Sequence, residues 1–144
     1  AEEQAANDKF NAALEAALAK EDWQAAAEAL LLLPEFTTAA KHPTSGARLV
    51  DMVKDFEWWQ MFREDPLIAP ETPAIDQLDK VTAPVLVITG DLAASTDLAR
   101  ADLLEKNIPG AQKVVLAGVG HLAQLEDPAA FEATVLEFLE RVRE

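Results

Sequence analysis

The sequence has no cysteine and no tyrosine, only two histidines, and five glycines in 144 residues. Without cysteine there can be no disulfide, no thiolate nucleophile and no cysteine-ligated zinc. The two histidines, His42 and His121, stand far apart, and neither lies in a metal-ligand spacing. No metal and no organic cofactor is therefore expected. Basic residues are also few: 12 Lys and Arg stand against 26 Asp and Glu, a formal net charge of -14. So acidic a chain cannot replace the counterions of a phosphate backbone, which excludes nucleic acid as a partner. The same charge excludes an anionic membrane surface and favours solubility. The longest strongly apolar run, residues 29–33, is far too short to span a bilayer, and no signal-peptide pattern opens the chain. A soluble, cytoplasmic protein is the expectation. The chain begins at Ala1, not Met, and the expectation is that upstream residues have been removed.

What is present is apolar and patterned. Half of the residues are hydrophobic, enough for the core of one ordinary domain. Residues 1–73 read as helices and loops. Phe10, Leu14 and Leu18 share one helix face, and Trp23, Ala27, Leu30 and Leu31 share another. Pro34 ends that second helix, and residues 35–47, with Pro43, Ser45 and Gly46, read as a loop. A third helix points Leu49, Met52, Val53 and Phe56 inward and runs into Trp58, Trp59, Gln60, Met61 and Phe62. Pro66, Pro70 and Pro73 mark an extended linker.

Residues 74–144 alternate strand and helix. Pro84 to Gly90 is a continuous β-branched apolar run, as in a strand of a parallel sheet buried on both faces. Ser95 or Thr96 caps a helix over 97–107, broken by Pro109 and Gly110. Lys113 to Ala117 is a second buried strand. Asp127 caps a last helix with Pro128 at its first position and a stripe of Phe131, Val135, Phe138, Leu139 and Val142. The fold class is α/β, with a β-α-β-α order and a parallel sheet.

The chemistry concentrates after the second strand. Gly118-Val119-Gly120-His121 turns the chain and presents an imidazole at a strand's C-terminal end, the edge at which open α/β sheets bind ligands. Neutral imidazole accepts a proton near pH 7, which suits a general base. This Gly-x-Gly-His turn, followed by Glu126-Asp127-Pro128 and Phe131, resembles the last strand, turn and helix of the α/β-hydrolase family. Residues 83–90 resemble the family's next-to-last strand, and Ile108-Pro109-Gly110-Ala111 a common turn of such proteins. Trp58-Trp59 through Asp65-Pro66 resembles the passage from cap to core in bacterial esterase-like members.

The resemblance implies a cap-like helical region at 1–73 and the C-terminal part of the hydrolase core at 74–144. It implies that His121 is the general base for a serine nucleophile. The nucleophile elbow, Gly-x-Ser-x-Gly, does not occur in the sequence, whose serines are Ser45 and Ser95. The family's order puts that elbow upstream of residue 1. The family's acid position falls on Ala93, which cannot orient an imidazole. Asp91 and Asp97 are the candidate replacements, against the plainer readings of a turn residue and a helix-start partner. Glu126 bonding backbone near His121 would be supporting work. Trp58, Trp59 and Phe62 are candidates for a substrate pocket, or plain aromatic packing.

The function expected is that of a C-terminal lobe serving Ser-His-acid acyl transfer on an ester-like small molecule. No catalysis is expected from this chain alone. The rival is a non-catalytic, self-associating module. The partner expected is either a missing N-terminal half or a second copy in a homodimer.

Overall fold

The computed structural model describes residues 2–56 and 70–143. Its contacts divide the chain into two compact units, Ala1–Asp65 and Pro66–Glu144. Among the described residues, no helix is long and apolar enough to cross a membrane.

The first unit is helical: α1 (Glu2–Leu18), α2 (Trp23–Ala29), a 3-10 turn (Leu30–Leu32), α3 (Pro34–Ala40) and α4 (Gly46–Asp55). The periodicity of 10, 14 and 18 does mark the packed face of α1, which also buries Ala17. Asp22 caps α2 by accepting from the Ala25 N–H at 3.0 Å. The core of this unit is small-residue packing of Ala26, Ala27, Ala29 and Ala39 against Leu49 and Val53.

Two expectations fail here. Pro34 does not simply end a helix. It occupies the first turn of α3, where its missing N–H has no partner to lose, so much of the expected loop over 35–47 is helix. Met52 and Phe56 do not point inward: both are exposed, while Leu49 and Val53 are buried. Four apolar positions gave α4 a wider stripe than its neighbours cover.

The second unit holds the sheet. A 3-10 segment (Ala74–Lys80) leads to β1 (Leu86–Gly90), α5 (Ser95–Asn107), β2 (Gln112–Leu116), α6 (Ala123–Glu126) and α7 (Pro128–Arg141). The two strands are parallel, with Leu86 opposite Gln112 and Gly90 opposite Leu116. Alternation of side chains assigns the two faces. Ile88, Val114 and Leu116 pack with Val119, Ala123, Ala130 and Phe131 from the α6–α7 side. On the other face Lys113 reaches α5, pairing with Asp102 and, at 3.0 Å, with Glu105. These bonds, Asp102's first, hold the Lys113 ammonium above its ordinary 10.5.

Asp127 caps α7 as expected, accepting from the Ala130 N–H at 3.0 Å with Pro128 following. Other details differ. α5 begins two residues early, and its cap position is Ala94, with no side-chain cap bond. Ser95 and Thr96 thus lie inside the first turn. The strands are half-buried rather than buried on both faces, because among the described residues the sheet has two strands only. Val115, Leu136, Leu139 and Val142 are exposed.

Candidate functional site

The parallel register fixes where the site lies. β1 and β2 end side by side, and the loops beyond them are tied together by backbone bonds. The Asp91 N–H donates to the Leu116 carbonyl at 3.0 Å, and the Leu92 N–H to the Val119 carbonyl at 2.9 Å. Gly90 is required by this approach: a Cβ there would lie 1.8 Å from the Val119 carbonyl oxygen. Gly118 turns the chain at φ 71°, a left-handed conformation that glycine adopts without penalty. Its N–H donates to Asp91 Oδ1 at 2.7 Å. Asp91 therefore binds the turn that precedes His121.

Glu126 organises the other side of the histidine. It is 6% exposed, and its two oxygens accept from the Gly120 N–H at 2.8 Å and the Leu122 N–H at 3.1 Å. Both backbone neighbours of His121 are thus held by one buried carboxylate. A buried carboxylate is tolerated only when its lone pairs are met in this way.

His121 Nδ1 lies 2.8 Å from Asp97 Oδ2. A carboxylate can only accept, so Nδ1 is the donor of this bond, and in the neutral ring Nε2 is then the acceptor. The His121 side chain is 42% exposed and that of Asp97 14%. Asp97 sits in the first turn of α5, where a negative charge meets the positive end of the helix dipole. Its other oxygen, Oδ1, accepts from Arg100 Nη1 at 3.0 Å. A cavity of about 200 Å³ opens beside this group, lined by Val87, Ile88, Thr89, Ala93, Ala101 and Leu104 together with Asp97, Arg100 and His121. Three consecutive residues of one strand line it although their side chains alternate between faces. The cavity therefore runs along the edge of β1.

Of the residues singled out in the sequence, the structure joins His121 to Asp97 and sets Asp91 against Gly118. Ala93 lines the cavity but has no group to bond with. Trp58, Trp59 and Phe62 lie outside the described residues. Arg100 was not singled out, although its spacing of three from Asp97 on a helix was a readable signal. His42, in the stretch read as a loop, is half-buried. Its Nδ1 lies 2.9 Å from Ser45 Oγ and 3.1 Å from Thr44 Oγ1, within the turn that begins α4.

No family model matches this sequence, and no curated relative matches it. The structure does match that of MenH from S. aureus, an α/β-hydrolase-fold protein, with a TM-score of 0.64 and 16% sequence identity. The match covers 100% of this chain and 56% of that one. At this identity the likeness is one of fold, and the chain has the architecture of part of an α/β-hydrolase fold.

Proposed function

We propose that this chain is the C-terminal lobe of an α/β-hydrolase-family hydrolase that acts on an ester or a related carbonyl substrate, with His121 as its general base. The observation that carries this reading is the 2.8 Å contact of His121 Nδ1 with Asp97 Oδ2 at the C-terminal edge of two parallel strands. With Nδ1–H held by Asp97, Nε2 accepts the proton of a serine hydroxyl as that oxygen attacks the carbonyl carbon. The imidazolium then returns the proton to the leaving alcohol. Asp97 holds the tautomer and stabilises the imidazolium, the part that Ala93 cannot play. On this reading the serine and the oxyanion donors come from residues outside this chain, which itself supplies base, acid and cap. A cytoplasmic location belongs to the same reading.

The test is made on the full translation product of the reading frame that contains this chain, with nitrophenyl esters and a fluorophosphonate label. The expected result is one labelled serine in a Gly-x-Ser-x-Gly setting, and a loss of roughly 10³-fold or more in kcat for His121→Ala and Asp97→Asn. Hydrolysis indifferent to His121→Ala would overturn the proposal, as would a reading frame without such a serine.

A second reading is favoured by a separate observation. The cavity follows the edge of β1, and Leu92, two residues past that strand, is exposed. An apolar strand edge without charge or bulge recruits another strand. On this reading the lobe self-associates and does no chemistry. Self-association by light scattering with no ester hydrolysis would favour this reading; ester hydrolysis by a monomer would leave only the first.

A further inference from the structure

Asp97 uses both of its oxygens, and only one of them faces the histidine. Oδ2 lies 2.8 Å from His121 Nδ1, and Oδ1 accepts from Arg100 Nη1 at 3.0 Å. A carboxylate turns easily about its last torsion, which has a broad profile rather than sharp wells. With one oxygen anchored, the direction of the other is set. Asp97 itself is fixed to the first turn of α5, where its N–H donates to the Ala94 carbonyl at 2.9 Å. Arg100 follows one turn later on the same helix, so the anchor and the carboxylate share one rigid element.

From this geometry, and resting on the reading of His121 as a base, we infer that Arg100 is a positioning residue: it clamps Oδ1 of Asp97 so that Oδ2 holds His121 Nδ1–H. Ala93 gives the reason such a clamp is needed here. The loop after β1 offers no acid at residue 93, and the carboxylate that meets His121 comes from α5. An acid on α5 stands further along the chain and has its own helix as support. Arg100 reaches Oδ1 with one donor, Nη1 at 3.0 Å, on a planar guanidinium whose donors are fixed relative to one another.

The plain alternative is an i, i+3 surface pair. The Arg100 side chain is 75% exposed, and exposed pairs contribute little to stability. Stability therefore does not discriminate, but the state of the imidazole does. Free neutral imidazole prefers the proton on Nε2, and the proposed clamp keeps it on Nδ1.

The experiment is long-range ¹H–¹⁵N NMR of the His121 ring in its neutral form, on the whole chain, for the unaltered protein and for Arg100→Ala, Arg100→Lys and Asp97→Asn. The unaltered chain should show Nδ1 protonated, with a downfield Nδ1–H resonance. Asp97→Asn should abolish both. Arg100→Ala should lose the downfield resonance and shift the ring toward the Nε2–H tautomer, and Arg100→Lys should recover part of the effect. An Nδ1–H signal in Arg100→Ala equal to that of the unaltered chain would overturn the clamp and leave the Asp97–His121 pair standing. An unaltered chain already in the Nε2–H form would overturn the pair, and the clamp with it.

Discussion

The most exacting test of the site's construction is Glu126, a buried carboxylate at the end of α6 that holds the histidine turn. It is 6% exposed and accepts two backbone N–H groups, from Gly120 at 2.8 Å and Leu122 at 3.1 Å. Each hydrogen bond to a charged group contributes about 1.5–3 kcal/mol net. Glu126→Ala removes both and leaves two donors without an acceptor. Gly120 is buried and Leu122 only half-buried, so the first donor suffers the fuller desolvation and the second finds water more readily. The sum is a loss of about 3–5 kcal/mol. Glu126→Gln keeps one acceptor oxygen but turns an amide N–H₂ toward the other donor, so its loss is smaller, about 2 kcal/mol. Either is a large share of a total near 5–15 kcal/mol. Because two units can unfold separately, the measurement is hydrogen exchange of the Thr89 and Val114 amides, which face the partner strand in the parallel register, with a urea titration beside it. The His121 ring resonances report the turn directly. An alanine variant within about 1 kcal/mol of the unaltered chain, or a glutamine variant as damaged as the alanine one, would refute the reasoning.

Gly90→Ala should destabilise the second unit by about 1–3 kcal/mol or more, since its Cβ would meet the Val119 carbonyl oxygen at 1.8 Å; Gly118→Ala, with open space but φ 71°, should lose only about 1–2 kcal/mol, and an equal loss in urea titrations would contradict the steric account. Lys113 is raised above 10.5 by Asp102 and Glu105, so its stabilisation is complete below the unfolded value and is lost as pH rises through the folded one; thermal melts should show an alkaline decline that Lys113→Met removes. The chain by itself should not hydrolyse nitrophenyl esters through a covalent serine, and stoichiometric fluorophosphonate labelling of Ser45 or Ser95, abolished by His121→Ala, would show otherwise. Light scattering at low micromolar concentration should give a mass above 15.6 kDa; a clean monomer with protected β1 amides would mean that the edge of β1 is sealed within the chain.

How much of this was readable depended on how local each signal was. The strands announced themselves as short runs of apolar, β-branched residues, although the burial on both faces that such runs suggest did not follow, and Asp127-Pro128 marked the start of α7 by cap chemistry alone. The histidine's place followed from topology, because parallel strands joined by a helix bring both C-terminal ends to one side. The misreadings came from residues with two uses. Pro34 both ends one helix and starts the next, and only the packing of α3 decides between them. Ser95 looked like a cap, but Ala94 takes that position, so side-chain preference yielded to where the chain leaves β1. Met52, Phe56 and Leu139 fit helical stripes that the described neighbours do not cover, and sequence period cannot say how wide a partner surface is.

Asp97 shows why a site can be half-legible. The resemblance put the acid at Ala93, and neither Asp91 nor Asp97 could be preferred from spacing. Two local facts separate them in the structure. Asp91 follows β1 directly, so its carboxylate is carried sideways to the neighbouring turn and meets the Gly118 N–H. Asp97 stands at the start of a helix that rises beside the strand ends, and the first turn of that helix brings it to Nδ1 of His121. A loop acid and a helix acid thus reach different partners from the same strand end. The helix position also brings Arg100 within one turn, whereas a loop acid at residue 93 would have no such neighbour in sequence. Moving the acid to position 93 is therefore a sharp test of the arrangement: Ala93→Asp combined with Asp97→Ala should restore the Nδ1–H signal without needing Arg100, and a double variant that fails to restore it, while still folded by hydrogen exchange, would mean that the loop cannot deliver a carboxylate to this histidine.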